Sequence, residues 1–191
     1  MNKNLTETEQ NILLSIARQA ITKATSGLPL DPIDLFSYSP ALVSPGASFV
    51  TLTKAESGEL KGCIGILEAR QPLILDVQEH AVAAALEDYR FSPLRFEELN
   101  DICIEISRLT NPIELDYDNP GDLAKLLRPG VDGVVLRDGR MRATFLPQVW
   151  EKLPQPEEFL THLCDKMGAS GDLWRRKKLQ VLVYQVEEFH E

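Results

Sequence analysis

The chain has 191 residues, 43% hydrophobic and 26% charged, and a formal net charge of −9. This length and composition predict one soluble domain, residues 1–191, whose core is large enough to fold without disulfides or a metal. The acidic excess excludes a broad phosphate-binding surface, because affinity for nucleic acids depends largely on Lys and Arg, so no nucleic-acid partner is expected.

The first predicted element is an amphipathic helix over residues 6–26. Thr6 and Glu9 form a capping-box pattern at its start, and Gly27 supplies the stop. The Pro- and Ser-rich stretch 28–47 that follows predicts an irregular loop rather than a linker. We expect this loop to pack through its apolar residues, which are Leu35, Phe36, Leu42 and Val43.

A β-hairpin and a helix are predicted next. The segments "ASFVTLTK" and "LKGCIGIL" flank "AESGE" and have the pattern of two paired strands. Pro72 begins a predicted helix that is rich in Ala and runs to about Asp88. The segment "ICIEISRL" alternates strictly, which predicts a strand with Ile102, Ile104 and Ile106 on one face.

The remaining elements are shorter. Asn119-Pro120 predicts an N-cap and first helical residue, with the helix ending near Leu127. "DGVVLRDGRMRATFL" predicts a hairpin with a type I′ turn at Asp138-Gly139. A helix is predicted from Pro156 to Met167, ended by Gly168, and "LQVLVYQVEEF" predicts one closing strand. Strands and helices without regular βαβ alternation predict an α+β fold around an antiparallel or mixed sheet.

The spacing of the cysteines and the hydropathy of the chain predict the cellular compartment of the protein and whether it holds a cofactor. Cys63, Cys103 and Cys164 are widely spaced, and no CxxC pair or Cys/His ligand spacing occurs, so we expect neither disulfides nor a metal or other cofactor. Residues 1–25 lack the apolar segment of a signal peptide, and no apolar run is long enough to span a membrane. The expectation is a cytoplasmic protein without a membrane partner.

Cys63 is the first candidate functional residue. It lies between Gly62 and Gly65 in a predicted strand, and glycines in a strand often mark a close approach of ligand or backbone. Alternation places Lys61 on the same face as Cys63, where a cation favours the thiolate. The alternatives are that the thiol is a small buried hydrophobe or that the glycines only allow strand-to-helix packing.

Four further side chains are candidates for the same site. Asp88 and Arg90 in "EDYRFSPL" form a polar corner in which the guanidinium can bind an anion or tie down the helix end. Glu105 and Ser107 share one face of their strand, and they supply a general base and a hydroxyl if that face carries Cys63. Otherwise they are exposed polar residues. His80 is expected to be a partly buried core residue with its hydrogen bonds satisfied.

Several blocks together resemble the AMMECR-type domain, also called AmmeMemoRadiSam system protein A. "LKGCIG" is similar to the family signature LRGCIG, and the other matching blocks, in the family's order, are "AVAAALEDYRFSPLRFEEL", "IEISRLTNPIEL", "PGVDGVVLRDGRMRATFLPQVW" and "VYQVEEF". Lys61 replaces the usual Arg, which loses a planar fork but keeps the charge. Tyr89 replaces the usual Pro between Asp88 and Arg90.

The resemblance implies an α+β fold with a larger and a smaller lobe, and the signature cysteine in or near the cleft between them. It also implies association with a Memo-type protein and a radical S-adenosylmethionine enzyme, but no known reaction. The leading hypothesis is an enzyme or enzyme component acting on a small, anionic substrate. In it, Cys63 is the nucleophile, Glu105 or Asp88 transfers protons, and the substrate is bound by Lys61, Gly62, Gly65, Arg90 and Ser107.

The alternative hypothesis is a non-catalytic binding or adaptor module whose cleft holds a partner or ligand. It predicts a buried, inert Cys63. It also predicts an exposed apolar patch in "FLPQVW", where Phe145, Leu146, Val149 and Trp150 cluster.

Overall fold

The computed structural model describes residues 4–191, so that residues 1–3 of the predicted domain lie outside it. The α-helices are α1 (Glu7–Thr25), α2 (Pro40–Val43), α3 (Leu73–Leu86), α4 (Leu123–Leu126), α5 (Pro156–Met167) and α6 (Leu173–Arg176). The strands are β1 (Pro45–Lys54), β2 (Leu60–Gly65), β3 (Gln71–Pro72), β4 (Ile102–Leu109), β5 (Ile113–Glu114), β6 (Gly133–Asp138), β7 (Met141–Phe145), β8 (Gln180–Tyr184) and β9 (Val186–His190).

These elements form two compact units. The first contains the chain up to Leu109 together with Glu187–Glu191, and the second contains Thr110–Val186. Helices combined with two sheets whose described pairings are antiparallel confirm the predicted α+β class. Within the described residues, no helix is both long enough and apolar enough to cross a membrane.

The first unit is built on a five-stranded sheet with the order β2-β1-β4-β9, in which β3 also pairs with β1. α3 packs against β1 and β2, and α1 packs against α3. The predicted inward face of β4 is confirmed, because Ile102, Ile104 and Ile106 are buried in this core. The sheet therefore has one face committed to the hydrophobic core, which leaves its other face for polar side chains.

The predicted N-terminal helix is confirmed, including its cap. The Thr6 hydroxyl accepts a hydrogen bond from the Glu9 backbone N–H, and the Glu9 carboxylate accepts one from the Thr6 N–H at 2.8 Å. The loop that follows is packed only in part. Leu42 is fully buried, but Phe36, which was predicted to pack, is fully exposed, because the short 3-10 turn at Leu35–Ser37 directs it outward.

The second unit has a four-stranded sheet with the order β5-β8-β6-β7. α5 packs on one face, where Phe159 is fully buried and stacks on Trp150 with ring centroids 3.8 Å apart. The helix ends as predicted, since Gly168 takes a left-handed conformation with φ of 83°. Val134 and Leu136 of β6 belong to the same hydrophobic core.

Two local predictions in this half of the chain are wrong, and a third is confirmed only in part. The hairpin turn consists of Gly139 and Arg140, because Asp138 pairs with Met141, and a type I′ turn is excluded because no described residue other than glycine has a positive φ. Asn119 takes the predicted N-cap position before Pro120, and α4 ends next to Leu127, but Asn119 makes no side-chain cap and the segment opens as a 3-10 turn. The predicted closing strand is two strands, β8 and β9, which belong to different sheets.

A buried polar cluster lies within the core of the first unit. Ser48 donates a hydrogen bond of 2.6 Å to the Asp76 carboxylate, which also lies 3.2 Å from His80 Nδ1, and all three residues are buried. Burial of the imidazole disfavours its charged form, but the hydrogen bond and charge of Asp76 outweigh it, so the pKa of His80 lies above its ordinary value of 6.5. His80 is thus a satisfied core residue, as predicted.

This raised pKa predicts a pH-dependent stability. The protonated His80–Asp76 pair stabilises the fold fully below the unfolded-state pKa of 6.5, and the contribution is lost as the pH rises through the higher folded-state pKa. We expect the urea midpoint of the wild type to fall across that interval. His80→Gln should flatten the dependence, and an equal slope in this variant would contradict the assignment to His80.

Candidate functional site

The strand register brings three polar side chains into one row. Thr51 on β1 is directly opposite Cys63 on β2 and, on its other side, directly opposite Glu105 on β4. Side chains directly opposite each other in antiparallel strands project from the same face of the sheet. We call this face, which carries Cys63, Thr51 and Glu105, the cysteine face. It is the face opposite the one that packs against the core.

Cys63 is partly exposed, and its thiol has a polar partner among residues 4–191. Thr51 Oγ1 donates a hydrogen bond to Cys63 Sγ at 3.3 Å. Glu105 lies on the far side of Thr51, two strand spacings or about 10 Å from the thiol-bearing strand. The carboxylate therefore shares the face with the thiol but does not touch it, and a proton passed between them needs a bridging group.

An ion pair closes the free edge of β2 at Cys63. β2 is an end strand of the described sheet, so one side of its backbone has no neighbouring strand. The Cys63 N–H donates to Asp88 Oδ2 at 2.9 Å, and Arg90 Nη2 donates to the Cys63 carbonyl at 3.0 Å. The guanidinium also donates to both carboxylate oxygens of Asp88, at 2.8 and 2.6 Å. We call Asp88 and Arg90 the edge clamp.

The electrostatics of the edge clamp hold both groups charged. The hydrogen bonds from Arg90 depress the pKa of Asp88 far below its ordinary value, in spite of the opposing effect of burial, and the Cys63 N–H adds to the depression. The same ion pair raises the pKa of Arg90. Arg90 is half exposed, and its Nη1 has no hydrogen-bond partner among residues 4–191.

Lys61, the predicted cationic support of the thiol, is directed elsewhere. Its Nζ donates to Glu98 Oε1 at 3.2 Å, and this contact adds to the effect of the Arg95 backbone N–H, which together lower the pKa of Glu98 to about 2. Lys61 also lines a surface cavity of about 520 Å³, but Cys63 is not part of its lining. The cation that contacts Cys63 in the described chain is therefore Arg90.

The two glycines beside Cys63 are accounted for by packing. A Cβ at Gly62 would overlap the carbonyl oxygen of Ala84 in α3, and a Cβ at Gly65 would overlap the carbonyl oxygen of Ser48 and the side chain of Phe49. What approaches this strand at the glycines is thus the protein's own backbone. This close packing explains Gly62 and Gly65 without a substrate contact.

The remaining candidates are less close to the thiol. Ser107 is buried and lies opposite Phe49, one row along the cysteine face from Cys63. Thr51 was not singled out from the sequence, and the only signal for it was the alternation of Thr with buried Val and Leu in "FVTLTK". Among the described residues, no group of His, Cys, Asp and Glu side chains is arranged to hold a metal ion.

Comparison with known proteins gives a family match over nearly the whole chain. The AMMECR1 family profile matches residues 14–189. A protein of Methanothermobacter thermautotrophicus is 39% identical, with 98% of this chain and 96% of the relative covered. A protein of Methanopyrus kandleri is 35% identical, with 100% of this chain and 92% of the relative covered.

One solved structure is also similar. The crystal structure of an uncharacterised protein from Pyrococcus horikoshii has a TM-score of 0.72 and 30% sequence identity, and it covers 94% of this chain and 89% of that chain. The similarity in sequence and in fold thus extends over both compact units.

Proposed function

The chain belongs to the AMMECR1 family, and from this premise we propose that it is an enzyme, or a component of one, that acts on a small anionic molecule through the Cys63 thiol. The observation that carries the proposal is the hydrogen bond from Thr51 Oγ1 to Cys63 Sγ at 3.3 Å. A hydroxyl that donates to a partly exposed sulfur stabilises the thiolate, which is the nucleophilic form of cysteine.

Arg90 supplies the anionic preference in this proposal. Two nitrogens of its guanidinium hold Asp88 and the Cys63 carbonyl, and Nη1 remains at the surface beside the thiol-bearing residue. A guanidinium fixed in this way presents a preoriented donor for a carboxylate or phosphate oxygen. The substrate would then be bound by Arg90 at the sheet edge and attacked by Cys63 on the cysteine face.

The two carboxylates are given different roles. Asp88 is buried and accepts hydrogen bonds on both oxygens, so it positions Cys63 and Arg90 instead of transferring protons. Within the part of the chain that the structure describes, Glu105 has no such partners. It lies in the thiol row, so it is the proton-transferring group in this proposal, acting through a substrate that spans Thr51. The Memo-type protein and the radical S-adenosylmethionine enzyme remain proposed partners.

Two observations favour this proposal over the adaptor alternative. The adaptor predicted a buried Cys63, but this residue is partly exposed. It also predicted an exposed apolar patch around Phe145 and Trp150, but Trp150 is 3% exposed and Phe145 packs edge-on against Phe159 in the core of the second unit.

Alkylation rates test the thiol. At pH 7 we expect iodoacetamide to modify Cys63 at least about tenfold faster than Cys103 and Cys164, as read by peptide mass spectrometry. Thr51→Val keeps the β-branched shape but removes the donor, so it should slow the labelling of Cys63. Thr53→Val, on the same strand and face but opposite Cys103, is the matched control. Labelling of Cys63 only after unfolding would contradict the proposal.

The anionic preference is tested with a charged reagent. We expect the ratio of the iodoacetate rate to the iodoacetamide rate at Cys63 to fall several-fold in Arg90→Gln, because only the anionic reagent is attracted by the guanidinium. The ratio cancels any general change in accessibility of the thiol. An unchanged ratio would show that Arg90 does not attract the anionic reagent. The reactivity of the Cys63 thiol would still be tested by the alkylation rates above.

A further inference from the structure

Two arginines face each other in the sheet of the second unit. Arg137 on β6 is directly opposite Arg142 on β7 and, on its other side, opposite Gln180 on β8. The three side chains project from the face of this sheet that is opposite the Val134 and Leu136 core. Like charges directly opposite each other in neighbouring strands are destabilising unless a counter-charge separates them.

Arg137 lacks such a counter-charge. Its Nε is buried and has no hydrogen-bond partner, and no side chain among residues 4–191 forms an ion pair with it. Leaving a buried charged donor without an acceptor is costly, so an isolated orphan of this kind needs an explanation. Arg142 makes an interaction of its own, and the unmatched donor is therefore that of Arg137.

Two acidic side chains of this sheet already form hydrogen bonds with other partners. Asp138 follows Arg137 in β6 but projects from the opposite face and binds Lys177 at 2.7 Å. Glu114 on β5 accepts a hydrogen bond from Gln180 at 3.4 Å, and β8 separates it from β6. Neither carboxylate satisfies Arg137 Nε, which leaves this donor available to an acceptor from outside the described residues.

We propose that Arg137 is the centre of an oxyanion-binding site on β6, β7 and β8, which takes the phosphate or carboxylate group of a small molecule. A planar guanidinium matches either group with two parallel hydrogen bonds, and Nε is one of the donors in that geometry. Arg142 across the strand pair adds positive charge, and Gln180, which donates to Glu114, lies on the other side of Arg137. The site does not depend on Cys63 or on the proposed reaction.

NMR of the arginine side chains tests this directly on the full chain. Titrating inorganic phosphate, and in a parallel series acetate, into a chloride buffer at constant ionic strength should shift the Arg137 Nε–H signal saturably, with a millimolar or lower dissociation constant. The anion with the lower dissociation constant identifies which of the two groups the site prefers. Arg137→Lys lacks the Nε–H of the guanidinium, so the signal that disappears in this variant is assigned to Arg137.

Variants give the matched comparison. Arg137→Gln should weaken anion binding about tenfold or more, since it removes the charge-assisted bonds. Arg140→Gln, in the exposed turn of the same hairpin, should leave binding unchanged. The absence of a saturable shift in the wild type, or equal weakening in both variants, would overturn the proposal. The wild-type titration decides the question even where Arg137→Gln fails to fold.

Discussion

Gly62→Ala is expected to destabilise the protein by about 3 kcal/mol or more, because the added methyl group has no space beside α3. A Cβ at this position would overlap the carbonyl oxygen of Ala84 and lie 3.0 Å from its carbonyl carbon. These are backbone atoms of a buried helix, so the overlap cannot be relieved by a side-chain rotation. Either β2 or α3 has to move, and both belong to the core of the first unit.

The measurement is the free energy of unfolding in urea, with a second glycine as the control. Gly121→Ala adds the same methyl group where no atom lies within 4 Å and where φ is not positive, so it should be neutral or stabilising by up to about 1 kcal/mol. Equal, small effects of the two substitutions would contradict a close contact between Ala84 and β2.

The second large effect is expected at the edge clamp. Asp88→Ala removes the acceptor for the Cys63 N–H and the partner of Arg90, and we expect a loss of about 2–3 kcal/mol at pH 7. Asp122→Ala removes an exposed carboxylate that is paired with Lys125, and it should leave the unfolding midpoint unchanged. The comparison separates a buried, hydrogen-bonded carboxylate from an ordinary surface ion pair.

The stabilising effect of Asp88 is expected to depend on pH. The pKa of Asp88 is depressed in the folded state, so its contribution is fully present above the unfolded-state value of 3.8 and is lost as the pH falls through the lower folded-state value. The stability difference between wild type and Asp88→Ala should therefore narrow in acid below pH 3.8. A difference that stays constant into that range would mean that the charge of Asp88 is not what stabilises the strand.

Amide hydrogen exchange distinguishes the clamp from general destabilisation. In the wild type the Cys63 N–H is protected by Asp88 at the free edge of β2, and Asp88→Ala should speed its exchange more than that of Ile104 in the adjoining core. Uniform acceleration of both amides would reduce Asp88 to a general contributor to stability. Because Cys63 is the proposed nucleophile, faster exchange of its N–H in Asp88→Ala would also show that the edge clamp holds the candidate site in place.

The elements were predictable because their signals are local. The capping box of Thr6 and Glu9, the alternation in β4 and the stop at Gly168 each involve residues close together in the chain, and each is present in the structure. The same periodicity gave the core face of β4. Two of the errors, at the Gly139 turn and at the division of the last strand, occur where pairing with another strand decides the outcome.

The sequence by itself determined the fold class, the family and the identity of the strand that carries Cys63. Tertiary structure decided what surrounds the thiol, because the contacts join residues far apart in the chain: Thr51 is 12 residues from Cys63, and Asp88 is 25. Strand register places Thr51 beside the sulfur, and the free edge of β2 requires the clamp. Neither register nor edge position is encoded in local periodicity, since both depend on which strands pair.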